Sequence, residues 1–432
     1  MSQPLNIAIA GLGTVGAATV RLVQEHGSLL ASRCGRDITI VAVSARDRDR
    51  DRDRGINLDG IAWVDDPLEL AGQPGIDAIV EVIGGADGIA RKLTMAALSA
   101  GRHVITANKA LIAHHGTALA HLAEDNGVSL RYEAAVAGGI PIVKALREGL
   151  AGNSIGRIYG ILNGTCNYIL TTMRESGREF DDVLAEAQAL GYAEADPRFD
   201  IDGIDTAHKL AILTALAFGC EVDFDAIYVE GIGGVSADDI RFAEELGYRI
   251  KLLGIARRTK HGIEQRVHPC LVAQGSAIAS VENVFNAVVA DGDYVETTVY
   301  QGRGAGGGPT ASAVVADILD VARGDDVPTF AIPAGELAAS NPAPMERHNG
   351  PYYICLTVRD EPGVMAEVTA AFRDEAISLE SMLQRSRAPG EPVPVVLITH
   401  ETEEAAMVRA LANIGKIATM AAPPRMIRIE AL

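Results

Sequence analysis

Three groups of residues have types and spacings that can do chemistry. Gly11-Leu12-Gly13-Thr14-Val15-Gly16 fits G-x-G-x-x-G directly after an apolar run and at the start of an Ala/Val/Leu-rich segment. That strand-turn-helix context marks the turn as a dinucleotide site. Gly11 permits the tight turn, Gly13 lets a pyrophosphate approach the backbone, and Gly16 lets helix pack on strand. Asp205 and Lys209 stand four residues apart, so on a helix both project from one face. Such a pair is a surface ion pair in an arbitrary sequence. In a site it can supply or remove a hydroxyl proton, as hydride exchange between a nicotinamide and an alcohol requires. Cys166 and His208 offer a third chemistry, a thioester-forming aldehyde dehydrogenase. Free cysteines are usually inert and lone histidines usually satisfy local hydrogen bonds, which weighs against it.

The elements that must position these groups can be read from the same sequence. Short β-branched runs at 5–10, 38–43, 78–83, 103–106 and 129–132 alternate with helical stretches, which predicts right-handed βαβ units and a parallel sheet over roughly the first 130 residues. The second run ends without a carboxylate before Arg46, where an acidic residue would bind a ribose 2′-hydroxyl. Its absence, followed by arginine, favours a 2′-phosphate and hence NADP(H), with NAD(H) still admissible. Arg46 opens RDRDRDRDR, otherwise a solvated loop of mixed charge.

The segment 204–218 reads as an amphipathic helix closed by Gly219, and 267–271, 284–290 and 294–300 read as strands of a second, mixed sheet. A helix over about 310–323 follows a second glycine cluster, Gly302 to Gly308. Prolines at 328, 333, 342 and 344 suggest a linker. Residues 350–432 show a β-α-β-β-α-β order, a small, separate ferredoxin-like module. The fold class expected is therefore α/β: a Rossmann-type doubly wound sheet, an α+β domain with a mixed sheet, and a C-terminal ferredoxin-like domain. The expected boundaries are 1–132 with a completing helix at 309–324, then 133–308, a linker at 325–349, and 350–432.

Composition narrows the function classes. The 432 residues carry 38 Lys+Arg against 57 Asp+Glu, a net charge of −19, which opposes a general nucleic-acid role. Hydrophobic residues at 48% indicate folded domains rather than disorder. Five scattered cysteines without a C-x-x-C pair give no disulfide framework or Cys-based zinc site and fit a reducing cytosol. The start lacks a signal-peptide pattern, and no run approaches the roughly 20 apolar residues of a membrane span. A soluble, cytoplasmic protein is expected, with His114, His115 and the remaining histidines at the surface.

Several blocks together resemble homoserine dehydrogenases: Gly11 to Gly16, Thr106-Ala107-Asn108-Lys109, Asn163-Gly164-Thr165-Cys166-Asn167-Tyr168, Gly191-Tyr192-Ala193-Glu194-Ala195-Asp196-Pro197, Asp205-Thr206-Ala207-His208-Lys209, and Gly304-Ala305-Gly306-Gly307. The resemblance covers about 5–324. The tail, with Asp360-Glu361-Pro362-Gly363-Val364, is similar to an ACT domain.

The resemblance implies reversible reduction of L-aspartate 4-semialdehyde to L-homoserine, in threonine, methionine and isoleucine synthesis. Lys209 is then the proton donor, Asp205 holds the substrate's amino end, and Lys109 lies between cofactor and substrate, unless it is a surface lysine. Glu194 and Gly191 contact substrate, although Glu194 can alternatively cap the following turn. Gly11, Gly13, Thr14, Val15, Gly16, Arg46, Ile83, Lys109, Gly191 and Gly306 line the cofactor. Glu133 with the carbonyls of Val136, Gly138 and Ile140 resembles a sodium loop, a hard-oxygen set. Threonine is the expected effector at the ACT domain, although Glu375-Ala376-Ile377-Ser378 departs from the glycine-rich turn of that pattern. A homodimer or homotetramer is expected. A sensor without catalysis is the alternative of another class, and it would need none of Lys209, Asp205 and Glu194.

Overall fold

The computed structural model describes residues 3–47, 55–385 and 389–432, so most of the arginine run expected near the cofactor lies outside the described residues. The strands in chain order are β1 (Leu5–Ala10), β2 (Ile38–Ser44), β3 (Ala62–Trp63), β4 (Ala78–Glu81), β5 (His103–Thr106), β6 (Leu130–Arg131), β7 (Ile155–Ile161), β8 (Tyr228–Val229), β9 (Tyr248–Thr259), β10 (Gly262–Ala273), β11 (Phe285–Gly292), β12 (Glu296–Arg303), β13 (Asn349–Gly350), β14 (Tyr352–Arg359), β15 (Leu379–Leu383), β16 (Pro392–Thr399), β17 (Thr402–Glu403) and β18 (Arg425–Glu430). The helices that matter for function are α1 (Thr14–Cys34), α2 (Lys109–Asp125), α3 (Gly164–Ser176), α4 (Ile204–Phe218), α5 (Gly307–Arg323), α6 (Val364–Asp374) and α7 (Glu404–Ile414).

The chain forms two compact units. One comprises Met1–Gly164, Asp205–Ile227 and Val284–Ser340; the other comprises Thr165–Ile204, Tyr228–Asn283 and Asn341–Leu432. In the first unit β3-β2-β1-β4-β5-β6 make an all-parallel sheet. The chain reverses its direction of travel across the sheet between β1 and β4, and a crevice opens there beyond the carboxyl ends of the strands. Leu5, Ile7 and Ile9 of β1 share a core with Val20 and Val23 of α1 and with Val314, Ile318 and Leu319 of α5. A helix some 300 residues downstream thus packs onto the same layer. Antiparallel β7, β11 and β12 also belong to this unit.

Two expectations change here. The 325–349 stretch is no solvated linker along its first half. Phe330 is buried with its ring 5.5 Å from that of Tyr132, the Tyr132 hydroxyl donates to Thr329 O at 2.8 Å, and Ala334 N donates to Glu124 Oε2 at 2.8 Å. The prolines fix an extended path while the aromatic and alanine side chains anchor it. Helix α4, expected to be amphipathic, is buried over nearly its whole circumference, Asp205 and Lys209 included.

In the second unit the C-terminal β-α-β-β-α-β order forms an antiparallel sheet β18-β14-β16-β15, the order of a ferredoxin-like module. Val364, Val368 and Phe372 of α6 and Met407, Ala410 and Ile414 of α7 cover one face. The module is not separate, however. Strand β18 pairs in parallel with β10 at Cys270↔Arg428 and Val272↔Glu430, so its edge is extended by an earlier strand. That pairing covers an edge that would otherwise be open.

Candidate active site

At the end of β1 the Gly11 amide donates to Ser44 O at 2.8 Å, and the residue has φ +103. A Cβ there would lie 2.7 Å from Val82 O, and one on Gly16 would lie 1.9 Å from Gly11 O. Packing therefore requires both glycines. A Cβ on Gly13 would meet nothing within 4 Å, so that glycine faces open space. Helix α1 begins at Thr14 without a side-chain cap and without an acidic residue in its first turn. Its first amides and dipole are left for an anion. These features fit a dinucleotide pyrophosphate with Thr14 and Val15 at the helix start. Arg46 is exposed just beyond β2, and Ile83 is partly exposed just after β4. At the other glycine cluster, Gly306 has φ +117 and opens α5, and a Cβ on Gly307 would lie 3.1 Å from Thr14 O.

Sequence reasoning missed the group that shapes the neighbouring turn. Buried Glu81 accepts the Ile83 and Gly84 amides on Oε1 at 2.8 and 3.1 Å, and the Thr106 hydroxyl on Oε2 at 2.6 Å. Thr106 Oγ1 accepts the Asn108 amide at 3.0 Å, and Asn108 caps α2 through the Leu111 amide at 3.1 Å. Lys109 is the first residue of that helix, so two strand ends and a cap fix where its ammonium emerges.

That ammonium lies 2.6 Å from Asp205 Oδ1. Lys209 Nζ donates to Asp205 Oδ2 at 2.7 Å and to Leu162 O at 2.6 Å, and Asn163 Nδ2 donates to Asp205 Oδ2 at 2.8 Å. The i, i+4 pair is thus real but buried, and Lys109 joins it from a distant helix. Burial alone would raise the Asp205 carboxyl, but Lys209 and Lys109 outweigh it and hold it well below the usual carboxylate range. Asp205 stays ionised at any working pH, and both lysines are aimed by its two oxygens. Two lysines thus converge on one carboxylate, and a cation held in this way can meet a developing alkoxide.

His208 turns elsewhere. Its Nε2 lies 3.1 Å from His114 Nε2, and its ring stacks on Phe224 at 4.7 Å. Burial and then the nearby His114 push its pKa down to about 4, so the ring is neutral. Cys166 donates its thiol to Asp200 O at 3.2 Å. Thr165 Oγ1 donates to Tyr192 O at 2.7 Å, and the rings of Tyr168 and Tyr192 lie 4.8 Å apart. The start of α3 therefore holds the 191–200 segment, which gives Cys166 a structural task. Gly191 has φ +76, and Glu194 is exposed. Glu194 does not cap the next turn: Asp196 Oδ1 accepts the Arg198 amide at 3.4 Å.

The residues expected around sodium lie on one buried loop. Both Glu133 oxygens accept backbone amides, Oε1 from Val143 at 3.0 Å and Oε2 from Lys144 at 2.7 Å. Burial and then Asp317 push this carboxyl upward. Each carboxylate oxygen accepts one amide and keeps a second lone pair, beside the carbonyls of the 136–140 loop. Ala137 and Gly138 both have positive φ there, and Ile140 O already accepts the Ile142 amide at 2.8 Å.

Two histidines are not at the surface, against expectation. His348 is buried, and buried His268 has Nδ1 3.3 Å from Cys270 Sγ, with Glu430 close enough to complete a metal-like trio. Arg266 excludes that reading, because its Nη1 donates to both His268 Nε2 and Glu430. A guanidinium already holds the position of a cation. Among the described residues no helix is long and apolar enough to cross a membrane.

Comparison with known proteins matches this arrangement. Family models for homoserine dehydrogenase, for its NAD-binding domain and for the ACT domain match residues 141–319, 11–133 and 352–416. The chain is 45% identical to homoserine dehydrogenase of Neisseria gonorrhoeae, covering 100% of this chain and 99% of the relative. The chain belongs to the homoserine dehydrogenase family. The enzyme of Pseudomonas aeruginosa is 44% identical with both chains covered in full. A crystal structure of a homoserine dehydrogenase from Thiobacillus denitrificans superposes with a TM-score of 0.94 at 46% identity, covering 99% of this chain and 98% of that one. A hyperthermophilic archaeal homoserine dehydrogenase in complex with NADPH gives 0.63 at 29% identity, covering 73% of this chain and 97% of that one. The protein is accordingly an NAD(P)-dependent oxidoreductase acting on a CH–OH group in amino-acid biosynthesis, with an ACT domain of the kind associated with amino-acid regulation.

Proposed function

We propose that this homoserine dehydrogenase family member uses Lys209 as the proton donor in reducing aspartate 4-semialdehyde to homoserine. The observation that carries this reading is the buried Asp205 carboxylate clamped between Lys109 and Lys209. A bound nicotinamide supplies the hydride. Lys209 protonates the aldehyde oxygen as negative charge develops there, and in the reverse direction it removes the hydroxyl proton. Asp205 aims both lysines and faces the substrate's amino end. Lys109 adds positive charge where cofactor and substrate meet. Glu194 and Gly191 take the substrate's ammonium end.

Gly11, Gly13, Thr14, Val15 and Gly16 would hold the pyrophosphate, with Ile83, Lys109, Gly191 and Gly306 around the nicotinamide. The exposed Arg46 beyond a strand without a terminal carboxylate supports NADP(H) over NAD(H). Glu133 and the carbonyls of Val136, Gly138 and Ile140 would hold sodium. Threonine would bind at the Pro362–Gly363 turn, where Gly363 has φ +98 at the start of α6. The working domains are 1–132 with the completing helix, 133–308 and 350–432, in a cytoplasmic homodimer or homotetramer.

The test is NADPH absorbance loss on adding aspartate semialdehyde, repeated with NADH and over a threonine titration. Turnover, faster with NADPH, is expected. No turnover with either nucleotide would return the protein to a binding role, and activity unchanged at every threonine concentration would reject feedback control.

A further inference from the structure

Strand β10 carries two parallel neighbours on one edge: β8 at Arg266↔Tyr228 and β18 at Cys270↔Arg428. The first belongs to the catalytic part and the second is the last strand of the ACT domain. Arg428, buried on β18, joins them. Its Nε donates to Glu404 Oε2 at 3.0 Å, and a second bond from Nη2 to Oε1 completes a bidentate pair with that first residue of α7. Its Nη1 donates to Glu230 Oε2 at 2.9 Å and its Nη2 to the Tyr228 hydroxyl at 3.2 Å. The guanidinium also lies over the Tyr228 ring at 5.0 Å. On the ACT side, the Tyr352 hydroxyl donates to Glu404 Oε2 at 2.8 Å.

The residues after Glu230 lead toward the loop that carries Glu194. Glu230 N donates to Val267 O at 2.8 Å, and Ile232 N donates to Ile201 O at 2.9 Å. Between them, a Cβ on Gly231 would lie 2.3 Å from Ile201 O and 2.7 Å from Asp202 Cα, so the backbones touch. A Cβ on Gly203 would lie 3.0 Å from the Val267 side chain and 3.1 Å from that of Val229. The turn Arg198–Ile201 that ends the 191–197 loop therefore sits on the segment Arg428 holds.

We propose that Arg428 is a positioning residue: its fork ties Glu404 of the ACT domain to Glu230, and through the 231–232 backbone sets the substrate loop that bears Glu194. Substrate affinity then depends on an ACT-domain carboxylate that touches neither substrate nor cofactor. A rigid planar fork suits this role, because a shift of α7 moves both of its carboxylate partners together. The inference rests on the assignment of the 191–197 loop to substrate.

The test is steady-state kinetics of the full chain and of Glu230→Gln, Glu404→Gln, their double variant and Glu194→Gln, with thermal melting of each. Both single variants keep the side chain's shape and weaken the Arg428 link from opposite ends. Each is expected to raise KM for aspartate semialdehyde roughly three- to tenfold while kcat and KM for NADPH stay within about twofold. The double variant should be no worse than the poorer single one, because one link is being cut twice. An unchanged semialdehyde KM in Glu404→Gln would overturn the proposal. Equal loss in kcat and both KM values, tracking a lower melting temperature, would also overturn it by leaving only a structural role. If Glu194→Gln itself leaves KM unchanged, the substrate-loop assignment fails and this inference fails with it. If Glu194→Gln responds and the other two do not, only the inference is lost.

Discussion

Two clusters of buried charged side chains in this molecule, around Asp205 and around β10 and β18, are composed differently. Around Asp205 one carboxylate faces two lysines, and Lys109 remains about one-third exposed at its side chain. Around β10 and β18 every buried guanidinium meets carboxylates: Arg266 pairs with Glu430 and Glu264, and Arg428 pairs with Glu404 and Glu230. The second network stays within the protein, with each guanidinium held by two carboxylates. The first gathers two lysines on one carboxylate. Buried charge alone therefore does not mark a site.

The largest effect expected from breaking this contrast lies on the catalytic side. Lys209→Met should lower kcat by roughly 10²–10⁴-fold, the range for loss of a positioned proton donor, with the melting temperature little changed. The reverse pattern is expected at the arginine network. Arg266→Met leaves Glu430 buried without its cation, which costs about 3–5 kcal/mol of stability. Urea unfolding would show it, and an unchanged midpoint would mean the pair contributes nothing.

A smaller effect concerns pH. His208 has its pKa depressed to about 4 in the folded protein, so the unfolded chain binds the extra proton first as pH falls. The stability it contributes is complete above about pH 6.5 and is lost progressively as pH falls toward 4. His208→Gln should therefore lose less stability between pH 7 and pH 5 than the unaltered protein, measured by urea unfolding at both. Identical losses would show that His208 is not buried neutral. The smallest effect is expected from Cys166→Ala, whose thiol donates to Asp200 O; kcat should stay within about twofold.

The site was partly legible in the sequence because local geometry carries part of it. Gly11 to Gly16 and the Asp205–Lys209 spacing are short-range patterns, and the C-terminal strand-helix order shows its module at once. Lys109 meeting Asp205 is different, because it depends on where a strand end and an Asn108 cap place a helix start. Glu81 looked like one more acidic residue of an acidic chain. It is recognisable only once β4 and β5 are paired and three donors converge on it. The burial of Arg266 and Arg428 likewise shows only once β18 is laid against β10. The same pairing explains why a module with its own core is not separate. That the Glu133 carboxylate also accepts the Val143 and Lys144 amides is likewise visible only in the fold.

Lys209, aimed by Asp205, and not the thiol at Cys166, is proposed to carry the reaction. The ratio of kcat for Cys166→Ala to kcat for Lys209→Met, in NADPH oxidation by aspartate semialdehyde, tests it most directly. A ratio of about 10² or more is predicted. A ratio at or below one, with Cys166→Ala inactive and Lys209→Met still turning over, would contradict it.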